Sequence, residues 1–301
     1  HNFQRFTSVV NSHSEPWWFF VLIFIISSLP FTPILIFSIY KFLYSFFNFK
    51  SNQLSRKDSI NSFIDFSASW LIVVFFLFSF SATKLPSYWL PATPAAAILI
   101  GLAPSLVKKK SPLLEFSLSC SALLCFLLAI VFGATPLWAP LIKDPEMPSL
   151  AAELIASRIW LRAAICLTSC GAIGFLFGSR IKSWRLLIMQ LQLALMHFLI
   201  IIPIFSLGDR LRQLPLRNAA SLLLSSQKPN EPLAMVGSAK PSLHFYTEQV
   251  IVFEGRSSGA LVNLSERLSL ERRQGWTGRP LREKNSSMTA LVVIDRKALS
   301  R

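Results

Sequence analysis

Charge is scarce in this chain of 301 residues. Only 15% are Asp, Glu, Lys or Arg, against 52% hydrophobic residues. Carboxylates are scarcer still, with Asp+Glu 15 against Lys+Arg 30. None of them forms an evident pair for acid/base work. The four histidines, His1, His13, His197 and His244, are scattered. Cys120, Cys125, Cys166 and Cys170 lie inside apolar runs, without zinc spacing or histidine partners. They read as small membrane-buried residues, and no metal site is expected. There is no P-loop, GxSxG, HExxH or GxGxxG sequence, which removes the common NTPase, serine hydrolase, zincin and dinucleotide-binding readings. The basic residues are scattered between apolar runs and follow no nucleic-acid-binding motif, so nucleic acid is not an expected partner. No secretory signal is visible, because the first residues lack a basic cluster and the first apolar run is too long. No internal repeat is found. The chain starts at His1 rather than methionine, and the expectation is a piece of a longer protein.

What is present is a series of long apolar runs, with 26 phenylalanines and a mean hydropathy of +0.50. That composition belongs to a polytopic membrane protein. The expected fold is an all-α membrane domain of about six transmembrane helices over residues 1–207, followed by a small α/β soluble domain over residues 208–301. The runs are Trp17 to Tyr44, Phe63 to Ala82, Tyr88 to Val107, Leu113 to Ala134, Ile159 to Gly178 and Leu186 to Leu207. Each approaches the roughly 20 residues that a bilayer core needs. Pro30 and Pro33 are expected to kink the first.

Basic residues crowd the loops after the first, third and fifth runs: Lys41, Lys50, Arg56 and Lys57; Lys108 to Lys110; Arg180, Lys182 and Arg185. By the positive-inside tendency these loops are cytoplasmic. Residues 1–16, the turn at Lys84, the Pro-rich connector 135–156 and the C-terminal domain then face outward. Arg5 and Lys84 therefore lie where topology does not require a cation. Each is either a side chain snorkelling to lipid headgroups or part of a site for an anion. Both stand beside aromatic residues, Trp17/Trp18 and Tyr88/Trp89, which are expected at headgroup level. His197 is expected to be packed within its span.

The C-terminal segment carries 15 Lys and Arg against 8 Asp and Glu. Residues 233–236, 244–246, 250–253 and 291–294 read as strands, and 261–270 as a short helix.

Two stretches carry a family resemblance. One is His1-Asn2-Phe3-Gln4-Arg5-Phe6, then His13, then Pro16-Trp17-Trp18-Phe19-Phe20. The other is Thr83-Lys84-Leu85-Pro86-Ser87-Tyr88-Trp89-Leu90-Pro91. Together they resemble the polytopic glycosyltransferases of the GT-C superfamily, and in particular the bacterial aminoarabinose (lipid A) transferases and protein O-mannosyltransferase-like relatives. The motifs cover residues 1 to about 110, and the later spans agree in layout. The Glu231-Pro232-Leu233-Ala234-Met235-Val236-Gly237 and Lys240-Pro241-Ser242-Leu243-His244-Phe245-Tyr246 segments are similar to the soluble domain of some members.

The resemblance implies a polyprenyl-phosphate sugar as donor and a lipid, glycan or protein hydroxyl as acceptor, at the outer face of a bacterial inner membrane. It implies that Lys84 and Arg5 hold the donor phosphate. His1 and His13 would contact phosphate or sugar, or serve the structure. Tyr88, Trp17 and Trp18 would anchor the interface or carry the sugar. In the family the general base is an aspartate in an early outer loop, so this chain is expected to be the C-terminal part of the enzyme and inactive alone. Metal dependence is left open. The alternative is a non-catalytic lipid-phosphate-binding membrane protein or transporter; a purely structural membrane anchor leaves the two motifs without a reason.

Overall fold

The computed structural model describes residues 15–47, 59–107, 111–176, 182–229, 231–274 and 289–295. The chain divides into two compact units, His1–Leu141 with Leu154–Pro203, and Ile142–Glu153 with Ile204–Arg301.

The first unit is helical. Helices α1 (Phe19–Ser27) and α2 (Thr32–Phe47) meet at a bend of 113°. The bend has a covalent cause: Pro30 and Pro33 cannot donate to a continuous helix, and their rings clash with the preceding turn. Hydroxyls then satisfy carbonyls that the break leaves open. Ser28 donates to Phe24 O at 2.6 Å, and Thr32 donates to Ile25 O at 2.9 Å.

Next come α3 (Ser59–Ser79), a 3₁₀ turn over Pro86–Ala92 and α4 (Thr93–Gly101). Helix α5 spans Pro112–Gly133, opened by Ser111, whose hydroxyl accepts from Leu114 N, and by a proline at the first turn. Helices α6 (Ile159–Leu176) and α7 (Lys182–Met196) follow. A π turn, His197–Ile201, joins α7 to α8 (Ile202–Arg212).

Four helices are long and apolar enough to cross a membrane: Ser59–Ser79, Pro112–Gly133, Ile159–Leu176 and Trp184–Arg212. The bent α1/α2 pair makes a fifth if counted as one span. The expected count of six is thus not reached among the described residues. The difference lies at Tyr88 to Val107. Pro91, Pro94 and Pro104 divide that run into 3₁₀ turns around the 9-residue α4. A helix of that length reaches only about 14 Å, half of a hydrocarbon core.

Helices α5 and α6 pack closely because small residues face each other. A Cβ on Gly174 would come within 2.7 Å of Ala122 Cβ, and one on Gly171 within 2.9 Å of Phe126 Cε2. Cys125 and Cys170 meet in this seam with their sulfurs 3.7 Å apart. Both are buried free thiols, as is Cys166, while Cys120 is half-buried.

In the second unit, α9 (Leu214–Ser226) precedes a three-stranded parallel sheet. Its strands are β1 (Leu233–Val236), β2 (Ile251–Glu254) and β3 (Leu291–Ile294), in the order β2-β1-β3. Leu233 lies beside Ile251 on one side and Leu291 on the other. Central β1 is apolar throughout because both of its faces are covered. Leu233 and Met235 pack with Ala220, Leu223, Leu243 and Ile251. Ala234 and Val236 pack with Val252, Ala260 and Leu264.

Helix α10 (Pro241–Thr247) occupies the stretch read as a strand at 244–246. Pro241 at its first turn and Glu248 in the left-handed region after its end set its limits. The imidazole of His244 turns back to accept from Ile251 N at 3.1 Å. The expected helix at 261–270 is α11, Ala260–Gln274.

Candidate functional site

The polypeptide leaves α3 through Phe80 and Ser81 and turns sharply at Thr83 and Lys84. The carbonyl end of a helix is electronegative, so a cation just beyond it is stabilised. Lys84 Nζ donates to Ser81 O at 2.8 Å, and the Ser81 hydroxyl donates to Thr83 O at 3.0 Å. Lys84 is only 8% exposed, and Ser81 and Thr83 are buried beside it. An ammonium carries three donor directions. Among the described residues Lys84 uses one of them, and no carboxylate lies within ion-pair distance of it. A cation held this way is costly until an anion joins it.

The 3₁₀ turn that follows Lys84 packs among aromatic rings. Leu85 is extended, and Pro86 starts the 3₁₀ turn that carries Tyr88 and Trp89. Trp89, 3% exposed, stands edge-on to Phe24 of α1 and Phe75 of α3, with centroids 5.8 Å and 6.3 Å away. Tyr88 lies 5.0 Å from Phe78, which in turn adjoins Phe20 at 6.2 Å. Trp89 therefore corrects the expectation that it sits at headgroup level: the proline turn folds its ring into the core. Tyr88 is half-buried, while Trp17 and Trp18 are exposed. The turn around Lys84 is thus buried and, among the described residues, has no carboxylate paired with its cation. Such a setting holds an anion more strongly than a solvated surface does.

Of the site residues expected from sequence, Lys84 and Tyr88 come together in this turn. His1, Arg5 and His13 lie outside the described residues. His197, expected to be packed, is instead exposed at the start of the π turn. Among the described residues no group of three or more His, Cys, Asp and Glu could hold a metal ion.

Sequence reasoning passed over the aromatic packing. Its signal is the spacing: Phe20 and Phe24, and Phe75 and Phe78, each share one helix face. It also passed over a buried ion pair. Arg185, 2% exposed, donates from Nη1 to Glu115 Oε2 at 3.1 Å and from Nη2 to the Ser119 hydroxyl at 3.4 Å. Its Nε is buried without a partner.

Residues 226–301 match the family described as the cyanobacterial RgtA-type glycosyltransferase, C-terminal domain. Over 97 residues the chain is 37% identical to an undecaprenyl phosphate-α-4-amino-4-deoxy-L-arabinose arabinosyl transferase of Wigglesworthia glossinidia brevipalpis, covering 32% of this chain and 15% of that one. Over 160 residues it is 29% identical to the corresponding transferase 2 of Pseudomonas fluorescens strain Pf0-1, covering 52% of this chain and 27% of that one. The crystal structure of ArnT from Cupriavidus metallidurans bound to undecaprenyl phosphate superposes with a TM-score of 0.60 at 18% identity. That superposition covers 99% of this chain and 50% of ArnT.

The chain is similar in sequence to these aminoarabinose transferases, carries an RgtA-type C-terminal domain match, and shares the ArnT fold. It spans half the length of the ArnT chain it superposes on, and no more than 27% of these two curated relatives.

Proposed function

We propose that this chain belongs to a membrane glycosyltransferase that moves a sugar from a polyprenyl-phosphate donor to a hydroxyl of a lipid, glycan or protein. The observation that carries this reading is the buried ammonium of Lys84, with one hydrogen bond and no carboxylate among the described residues. The acceptor oxygen attacks the anomeric carbon, and the bond from that carbon to the phosphate oxygen breaks. The bonding pair leaves on the phosphate. A fixed cation at that position is worth more in the transition state than in the ground state, which is the condition for catalysis.

Arg5 completes the phosphate clamp in this reading, its guanidinium forking to two oxygens where Lys84 is a point charge. Tyr88 borders the same turn. His1 and His13 are candidate contacts to phosphate or sugar. A general base must take the acceptor proton, and we place it on a carboxylate outside the described residues. The relatives are named for undecaprenyl phosphate-linked aminoarabinose, and ArnT was crystallised with undecaprenyl phosphate. Those names support an undecaprenyl-phosphate donor, and the distribution of basic loops supports a site on the outer face of a bacterial inner membrane.

The test is transfer of sugar from an undecaprenyl-phosphate donor by the full-length protein and its Lys84→Ala variant, both inserted normally. Loss of one such electrostatic contact lowers the chemical step about 10²–10³-fold. Transfer within twofold of wild type contradicts the assignment.

A further inference from the structure

The second unit contains a constellation that phosphate binding does not use. In the sheet order β2-β1-β3 the chain passes from β1 to one neighbour and then crosses to the other. In open parallel sheets ligands settle outside the carboxyl ends of the strands, where the order reverses. Here three loops deliver polar groups to that edge. Gly237, with φ 107, turns the chain immediately after β1 and presents Ser238. Gly255 and Arg256 follow β2, and Asp295 follows β3.

The Ser238 hydroxyl and Asp295 Oδ2 are 2.8 Å apart, and Arg256 Nη2 is 2.6 Å from the same carboxylate oxygen. Asp295 N donates to Val236 O at 3.0 Å, and Gly237 N donates to Glu254 O at 3.0 Å, so the backbone fixes all three loops. Among the described residues Arg256 engages only Nη2, which leaves Nε and Nη1 as donors. Among the described residues a Cβ on Gly255 would meet nothing within 4 Å. The residues beside Arg256 are small and hydroxylated, Ser257 and Ser258.

A bare anion suits this edge poorly, because the Asp295 carboxylate stands in it. A sugar hydroxyl suits it well, since each hydroxyl is both a donor and an acceptor. Arg256 donates from Nε and Nη1. Ser238, whose proton goes to Asp295 and whose oxygen already takes one bond from Arg256, offers its second lone pair. The Asp295 carboxylate, with about four acceptor positions, accepts beside its own partners. From this geometry we infer that the carboxyl edge of the sheet binds a saccharide through adjacent hydroxyls, with Ser238, Arg256 and Asp295 as its contacts. That this sugar belongs to the acceptor rests on the glycosyl-transfer reading; the binding itself does not.

The test is saturation-transfer NMR on the full chain in nanodiscs, with the methyl glycosides of glucose, galactose, mannose and glucosamine as probes. At least one glycoside receives saturation. Arg256→Ala and Asp295→Asn each weaken it about tenfold, as expected for a lost hydrogen bond to a charged group. Ser238→Ala, which keeps the ion pair and hence the loops, weakens it about threefold. Lys84→Ala leaves it unchanged, and inorganic phosphate at equal concentration does not displace the sugar. The inference is overturned by no saturation of any glycoside, by binding that survives all three edge variants, or by displacement by phosphate. If the glycoside binds at this edge while Lys84→Ala retains undecaprenyl phosphate fully, the sugar site stands and the donor-phosphate reading falls.

Discussion

Lys84 Nζ rests 2.8 Å from Ser81 O, beyond the carbonyl end of α3. The contact places a buried cation where helix carbonyls tolerate it, yet it satisfies only part of the ammonium's donor capacity. The 3₁₀ turn that follows is held by ring contacts of Trp89 with Phe24 and Phe75 and of Tyr88 with Phe78.

Trp89 is the keystone of that packing, in edge contact with Phe24 and Phe75. Trp89→Ala removes a fully packed ring and leaves a cavity between α1, α3 and the 3₁₀ turn. The expected loss is about 3–5 kcal/mol of stability. Thermal unfolding of the detergent-solubilised protein should show a clearly lowered midpoint, with Trp89→Phe much milder. An unchanged midpoint for the alanine variant contradicts the packing described.

Arg185 is enclosed more completely than Glu115, at 2% against 29% side-chain exposure. Removing the carboxylate leaves a buried guanidinium unneutralised, whereas replacing both partners with apolar residues removes the burden. Glu115→Ala should therefore cost about 3 kcal/mol, and the double variant Glu115→Leu/Arg185→Leu distinctly less. Comparing their unfolding midpoints checks this ordering.

Gly174 leaves no room for a side chain. Its Cβ would approach Ala122 Cβ to 2.7 Å and Met189 Sδ to 3.1 Å. Met189 can yield, but Ala122 is fixed to the α5 backbone. Gly174→Ala should destabilise by about 1–3 kcal/mol through overpacking, whereas Gly208→Ala, with nothing within 4 Å, should not clash. Parallel melts of the two variants separate a packing requirement from a general glycine effect.

Glu146 in the connector accepts from Lys240 at 2.7 Å and pairs with Arg212 at 2.7 Å. The hydrogen-bonded Lys240 ammonium, with Arg212 assisting, holds its carboxyl below the ordinary value of 4.5. A depressed folded pKa contributes stability above the unfolded value and loses it as pH falls through the folded one. The connector should stay clamped at neutral pH and loosen below about pH 4.5, sooner in high salt because the pair is exposed. Limited proteolysis at Ile142–Glu153, measured against pH, reports this. Glu146→Gln should lose this pH dependence, and wild-type cleavage that does not rise below about pH 4.5 contradicts the account.

Much of the architecture was legible in the residues themselves. The apolar runs at Ser59–Ser79, Pro112–Gly133 and Ile159–Leu176 have no proline beyond the first residue and a single charged residue each, so length and composition suffice to find them. Strand β1 was legible for the same reason, as a short apolar run closed by Gly237. Tyr88 to Val107 misled because hydropathy does not register the prolines that divide it. His244–Tyr246 misled because three residues of suitable composition say nothing of the Pro241 that starts a helix there. At the site, Lys84 was conspicuous as a lone cation between apolar runs. Its contact with Ser81 O is local, three residues back, but hydropathy does not register the turn that makes it; the grouping of Phe24, Phe75 and Trp89 depends on tertiary packing.

The central claim is that the Lys84 ammonium holds a lipid phosphate, and direct titration tests it. Undecaprenyl phosphate is titrated onto the full-length protein in nanodiscs, as wild type, Lys84→Ala and Lys84→Arg, with undecaprenol lacking the phosphate as the control. We expect Lys84→Ala to weaken the phosphate lipid at least about tenfold, Lys84→Arg to retain part of the affinity, and undecaprenol to bind all three alike. Equal Kd values for undecaprenyl phosphate on wild type and Lys84→Ala would contradict the account.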